Sequence, residues 1–154
     1  MIQTILPLAF LIFGLWLVFR RIRPKPSAPR AQRLGWQVTL LGVFLMAWVS
    51  GAVGIIGSED NPANLMFGAL LAMGVCGAAI SGLRPKGLRI TLAIMAAAQI
   101  AIALVDLYWE LGVDGPVWPR DVWTATAIFT IIWSTAAALF HRAHKEIARS
   151  RANG

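Results

Sequence analysis

The stretch GIIGSEDNPANLM, Gly54 to Met66, places a short polar turn between two long apolar segments. The segment Leu34–Ser58 carries no charge on one side of it, and Asn61–Leu83 carries none on the other. A helix that crosses a membrane needs about 20 mainly apolar residues. Two such segments joined by a turn therefore predict a helical hairpin that spans a membrane.

Three further segments of this kind flank the hairpin, namely Met1–Phe19, Ile90–Val105 with its continuation to Trp109, and Val122–Phe140. The chain of 154 residues is 58% hydrophobic and only 14% charged, whereas about 25% charged residues is usual in soluble domains. Backbone polar groups in lipid must be satisfied within each segment, which favours helices. We predict an all-α membrane protein with five transmembrane helices.

The first segment is predicted to be a retained helix and not a signal peptide. Its basic residues, Arg20 to Arg23 in the sequence RRIR, follow the apolar segment instead of preceding it, and no small-residue cleavage site comes after it.

The basic residues predict the orientation. All Lys and Arg residues except Arg120 lie in residues 20–33, 84–89 and 141–151, which five spans place on one side of the membrane. The positive-inside rule makes that side cytoplasmic, so we expect an inner-membrane protein with its N-terminus outside and its C-terminus inside. The net charge of +7 then belongs to one membrane face, and no nucleic-acid partner is expected.

The acidic residues gather on the opposite side. All but Glu146 fall there, namely Glu59, Asp60, Asp106, Glu110, Asp114 and Asp121. Two interpretations of the turn remain open. Ser58, Asp60 or Asn61 can cap the next helix, with Pro62 in its first turn, or the carboxylates of the turn can bind a ligand.

The chain is predicted to have four parts. They are an N-terminal transmembrane helix (1–19), a basic, Pro-rich extended linker (20–35), a compact four-helix transmembrane bundle (36–141) and a basic cytoplasmic tail (142–154). Small residues at helical spacing, such as Gly74 and Gly77 in the third segment and Gly54 and Gly57 in the second, predict close helix packing. The N-terminal helix lacks such a face, so it packs either on a partner or on the outside of the bundle.

The fourth segment carries a line of polar residues. Gln99, Asp106 and Glu110 lie within roughly 20° of one line on a helix, and Thr130 and Ser134 form a stripe on the fifth segment. Ionisable groups inside a membrane usually face the bundle interior or a watery cavity. The two stripes are predicted to line an outward-opening cleft, unless the hydroxyl groups only bond their own helix.

The candidate ligand-binding residues are Glu59, Asp60, Gln99, Asp106, Tyr108, Trp109, Glu110, Thr130 and Ser134. The aromatic members are either an interfacial belt or a wall for a lipid, quinone or pigment. His141 and His144 share a helical face but have no third ligand nearby in the sequence, so we expect no metal and no cofactor. The single cysteine, Cys76, is expected to be a buried, inert thiol.

The residues GAVGIIGSEDNPANLMFGALLAMGV, Gly51 to Val75, resemble a segment of small bacterial inner-membrane proteins with no assigned activity. The resemblance covers about a sixth of the chain and its distinctive part is the acidic turn. It implies a bacterial inner membrane and no particular chemistry.

Three function classes follow. The first is a non-catalytic accessory subunit of a larger inner-membrane complex of respiratory or photosynthetic type, and the absence of catalytic motifs favours it. The alternative is a small binding or transport protein whose acidic cleft takes a cation or an amphiphile. A lipid-modifying enzyme is the third, supported only by the outer carboxylates. The expected partners are the lipid bilayer and other membrane-protein subunits.

Overall fold

The computed structural model describes residues 28–58 and 60–153, and within these ranges it contains helices and turns but no strand. The four α-helices are α1 (Arg30–Ala52), α2 (Leu65–Ile80), α3 (Pro85–Trp109) and α4 (Arg120–Ala152), and a short 3-10 helix (Pro62–Asn64) leads into α2. Each α-helix, α2 together with its 3-10 turn, is long and apolar enough to cross a membrane. The prediction of an all-α membrane fold is confirmed to this extent.

The described ranges contain four helices that are long and apolar enough to cross a membrane, so the prediction of five is supported only in part. The predicted first helix, residues 1–19, lies outside the described residues together with half of the predicted linker, residues 20–27. The linker boundary at residue 35 is wrong, because α1 begins at Arg30 directly after the extended residue Pro29. The residues after Pro29, Arg-Ala-Gln-Arg-Leu, are good helix formers, so the helix begins as soon as the last proline permits.

The predicted C-terminal tail, residues 142–154, is helical as far as Ala152, because α4 continues into it without a break. No Pro or Gly interrupts the sequence before Gly154. With 33 residues, α4 is about 50 Å long, whereas the hydrocarbon core of a bilayer is about 30 Å thick. The helix is therefore longer than that core is thick, and fully buried Ala143 shows that α4 packs on the protein at least as far as this residue.

Helix α4 is the centre of the packing. It contacts α3 most extensively and α1 next, while α2 packs mainly on α3 and contacts α1 only sparingly. In space the helices thus follow the order α1, α4, α3, α2. The predicted compact bundle is a tight unit of three helices with α2 at its edge, and only Phe67 and Leu70 of α2 are buried.

Two glycines of α1 set its distance from α4. A Cβ atom at Gly42 would lie 2.6 Å from Ile132 Cγ2 and 2.8 Å from the ring of Trp133, and one at Gly35 would lie 3.2 Å from the ring of Phe140. The fully buried indole of Trp133 therefore occupies space that only glycine leaves free. Gly35 meets Phe140, whereas Gly42, further along α1, meets Trp133, which comes earlier in α4. The two helices are therefore antiparallel.

Small residues of α2 play the same role against α3. Gly74 lies against Met95 and Gly77 against Thr91, with Cβ positions 2.7 and 2.5 Å from side-chain atoms, as predicted for these two glycines. Gly54 and Gly57 do not belong to a helix-packing face. They lie beyond the end of α1 with φ of 77° and 69°, a conformation that glycine adopts readily.

The outer surface of the bundle is apolar. Large side chains of α1 and α4 such as Leu41, Trp48 and Ile131 are at least half exposed, while Gln99 and Asp106 have no exposed surface. Polar groups inside and apolar groups outside are the arrangement expected of helices in lipid. Cys76 is exposed on α2, so the expectation of a buried thiol is wrong, because α2 lies at the edge and not in the core.

Candidate functional site

Asn64 organises the polar turn between α1 and α2. Its Oδ1 accepts hydrogen bonds from the backbone N–H groups of Ile55 and Ile56, both at 2.9 Å, and its Nδ2 donates to the carbonyl oxygens of Ser58 at 2.8 Å and Ile56 at 3.3 Å. Asn64 is buried, so these four bonds satisfy its amide group. Asn64 was not among the predicted site residues, because its only local signal is an asparagine two residues after a turn proline.

Asn61 caps the 3-10 helix and joins two loops. Its Oδ1 accepts from Ala63 N at 2.9 Å, which confirms one of the three capping residues predicted, with Pro62 in the first turn. Its Nδ2 donates to Leu111 O at 2.8 Å, in the loop between α3 and α4. The turn is therefore tied to the second loop on the same side of the bundle.

Three glycines bring these two loops into direct contact. A Cβ atom at Gly115 would lie 2.8 Å from Gly57 Cα, and one at Gly112 would lie 3.1 Å from Gly57 N. We call the two loops, residues 53–64 and 110–119, the acidic cap. Backbone packs on backbone here, so the cap closes this end of the bundle.

Asp106 lies beneath the cap. It is fully buried, and its Oδ2 accepts a hydrogen bond of 3.1 Å from Trp118 Nε1 in the second loop. Gly112 makes room for the indole, since a Cβ there would lie 2.7 Å from Trp118 Cδ1. Asp106 Oδ1 has no hydrogen-bond partner among the residues the structure describes.

The register of α3 against α4 follows from a contact near the other end of the bundle. Arg89 Nη1 lies 2.6 Å from His141 Nδ1. Gln99 is ten residues further along α3, and Thr130 and Trp133 are eleven and eight residues back along α4. At 1.5 Å per residue, Thr130 and Trp133 lie within about 3 Å of the height of Gln99 along the bundle.

This level contains several unpartnered polar atoms. The amide of Gln99, the Thr130 hydroxyl and the Trp133 indole N–H are buried, and none has a hydrogen-bond partner within residues 28–58 and 60–153. Gln99 and Trp133 have no exposed surface at all. The middle of the bundle therefore contains a polar layer about two turns from Asp106.

The predicted cleft is closed. Gln99 and Asp106 face the interior as predicted, but neither has exposed surface, so they lie in a sealed core and not in an outward-opening cleft. Glu110 does not continue their line, because α3 ends at Trp109 and Glu110 is exposed in the left-handed conformation (φ 51°, ψ 39°). Ser134 is exposed on the outer face of α4.

The remaining candidates do not converge either. Tyr108 and Trp109 are 79% and 62% exposed, with ring centroids 5.2 Å apart at 89°, so they point away from the bundle as an interfacial belt would. Asp60 is exposed, and Glu59 lies outside the described residues. Of the nine candidates, the structure brings Gln99, Asp106 and Thr130 to the interior between α3 and α4.

Within residues 28–58 and 60–153 no group of three His, Cys, Asp or Glu residues that could hold a metal ion is found. His141 instead contacts Arg89.

The outer face of α2 differs from those of the other helices. Its exposed residues include five small ones at helical spacing, Gly68, Ala69, Ala72, Cys76 and Ala79, which we call the small-residue face of α2. A Cβ atom added at Gly68 would meet nothing within 4 Å. The larger side chains of Leu65 and Val75 are exposed on the same side of α2, so the face has open space at Gly68 and is not formed by small residues alone.

No family model matches the chain, and neither a curated protein nor a solved structure matches it.

Proposed function

We propose that this protein is a non-catalytic accessory subunit of a larger complex in a bacterial inner membrane, and that it binds a partner helix through the small-residue face of α2. The observation that carries the proposal is this row of exposed small residues on a helix at the edge of the bundle.

In a lipid bilayer, small residues on the outer face of a helix favour association with another helix. Apolar side chains gain little by leaving lipid for one another, so helices associate where small residues allow their backbones to approach. Gly68, Ala72 and Cys76 follow each other at intervals of four residues, which is the spacing of small residues in such contacts. The outer face of α1, with Leu41, Phe44 and Trp48, has the bulky composition expected against lipid.

The weak packing of α2 supports the same conclusion. α2 buries only Phe67 and Leu70, and its second half contributes no buried residue. A helix with so few contacts of its own is stabilised when a second helix covers its free side. This supports α2 as the docking element among the described helices.

Purification of the full chain in mild detergent tests the proposal. We expect the wild-type protein to elute in an assembly of fixed stoichiometry with a different membrane protein. Ala72→Leu should reduce that assembly at least fivefold, because the larger side chain separates the backbones. Ala127→Leu, an equal change at an exposed position of α4, should leave it intact. Recovery of only this chain, as a monomer or a homo-oligomer, would contradict the proposal.

A binding or transport function is the second candidate, favoured by the buried unpartnered oxygen of Asp106 and the polar layer around Gln99. In that case cation or proton flux into liposomes containing the protein should exceed that of empty liposomes, and Asp106→Asn should abolish the excess. Wild-type liposomes no leakier than empty ones would exclude this function.

The orientation is part of the proposal. The basic residues at the start of α1, in the α2–α3 turn and at the end of α4 support a cytoplasmic position for that end of the bundle. The acidic cap would then face the outside.

A further inference from the structure

A groove runs between α3 and α4 on the outer surface of the bundle. Its volume is about 590 Å³. Four alanines, two isoleucines and, at one end, Arg89 and His141 line it, the alanines being Ala93, Ala97, Ala137 and Ala138. The groove is thus a shallow, largely open apolar trough with a basic end.

The trough has the form expected of an acyl-chain site. Alanines on both helices leave the space that larger side chains fill elsewhere on the surface. From Arg89 to Ala97 the trough rises about 12 Å along α3, away from the basic end and toward the middle of the bundle. A polar solute finds no hydrogen-bonding side chain along the alanine-lined part.

The basic end offers donors for an anion. Arg89 Nη1 lies 2.6 Å from His141 Nδ1. A guanidinium only donates, so Nδ1 of His141 accepts, the imidazole is neutral and its hydrogen is on Nε2. The contact leaves the charge of Arg89 uncompensated, and the remaining guanidinium N–H groups suit the paired oxygens of a phosphate.

We propose that this groove binds one anionic phospholipid, with its phosphate on Arg89 and His141 and one acyl chain along the alanines. Arg89 is four residues from Pro85, the first residue of α3, which places it near the membrane surface where headgroups lie. Lys86 and Lys145, one turn further out on α3 and α4, add positive charge, and basic pockets between helices on the cytoplasmic side favour anionic lipids. The site is independent of partner binding by α2.

Native mass spectrometry of the full, delipidated chain tests the headgroup contact. The probes are phosphatidylglycerol and phosphatidylcholine with identical acyl chains. We expect one phosphatidylglycerol to bind at least tenfold more tightly than phosphatidylcholine. Arg89→Gln should reduce this preference below threefold, while Arg149→Gln, an exposed arginine near the end of α4, should retain it. An unchanged preference in Arg89→Gln would overturn the proposal.

A second pair of variants tests the trough. Ala97→Leu fills it and should weaken binding of both lipids at least fivefold, whereas Ala127→Leu, outside the groove on α4, should not. Both alanines are exposed, so neither change disturbs the core. Undiminished lipid binding by Ala97→Leu, or displacement of the lipid by glycerol phosphate without acyl chains, would show that no acyl chain occupies the groove.

Discussion

At the scale of single residues, Asn64 has the clearest energetic role. Asn64→Ala removes a buried side chain that bonds four backbone groups of the α1–α2 turn. Buried groups left without a partner cost about 1–3 kcal/mol each. We expect the unfolding free energy in detergent to fall by about 2–3 kcal/mol. The exposed neighbour Asp60 is the control, and equal effects of Asn64→Ala and Asp60→Ala would contradict the role of Asn64.

Asp106 allows a second test at this scale. Asp106→Ala removes the acceptor of the Trp118 indole N–H and leaves a void in the core, so we expect a loss of about 2–4 kcal/mol. Asp114→Ala, in an exposed part of the cap, should change stability by less than about 0.5 kcal/mol.

Asp106→Asn tests whether stability depends on the carboxylate itself or only on its hydrogen bond with Trp118. The amide keeps an acceptor oxygen for Trp118 but never carries the charge that is costly to bury. We expect its thermal unfolding temperature to equal or exceed that of the wild type. A loss as large as that of Asp106→Ala would mean that the carboxylate itself is required, as a cation-binding role demands.

Gly42 tests the packing of α1 on α4. Gly42→Ala puts a methyl group 2.6 Å from Ile132 Cγ2 and 2.8 Å from the Trp133 ring, so the helices must separate. Overpacking of this kind costs about 1–3 kcal/mol. Gly51→Ala in the same helix meets nothing within 4 Å and should stabilise by about 0.5–1 kcal/mol. Denaturant titration of both variants measures the difference in unfolding free energy. If Gly42→Ala also stabilised the protein, backbone propensity and not contact with Trp133 would govern Gly42.

At the scale of helices, the extension of α4 beyond the predicted bundle is the feature to test. Ala143 is fully buried and Ala148 is exposed, although both lie in the predicted tail. If the extension is docked, Ala143→Leu should destabilise the protein by about 1–3 kcal/mol, and Ala148→Leu should have little effect. Thermal unfolding in detergent compares the two. Equal, small effects would mean that the last turns project freely.

The four described helices were predictable because their apolar length follows from the thickness of a bilayer. Their ends were less so. Helix α1 begins directly after Pro29, and helix α3 ends at Trp109. Each of these ends depends on the backbone conformation of a single residue, such as the left-handed one at Glu110. The sequence placed Glu110 on the line of Asp106 only under the assumption that the helix continued.

The candidate site was predictable only in part, for a related reason. Helical spacing correctly placed Gln99 and Asp106 on one face, and the cost of a polar group in lipid correctly predicted that this face points inward. The bonds from Asn61 to Leu111 and from Trp118 to Asp106 connect the loops to residues far away in the sequence, and local patterns carry no information on such contacts. The same contacts close the cap and turn the predicted cleft into a sealed core.

At the scale of the whole molecule, orientation is the property on which the other proposals depend. Four described helices return the chain to the side where α1 begins, so Arg30 and Ala152 lie at the same end whatever residues 1–27 do. That end holds most of the described Lys and Arg residues, and the positive-inside rule favours the cytoplasmic side for such an end.

Cysteine labelling in intact cells tests this orientation. In a Cys76→Ala background, the proposed orientation predicts that a membrane-impermeant maleimide labels Asp114→Cys in the acidic cap directly. It also predicts that Ser150→Cys, near the end of α4, is labelled only after the membrane is opened. The reverse pattern would contradict the positive-inside argument and would move the lipid groove, whose basic end adjoins Arg89, to the outer leaflet.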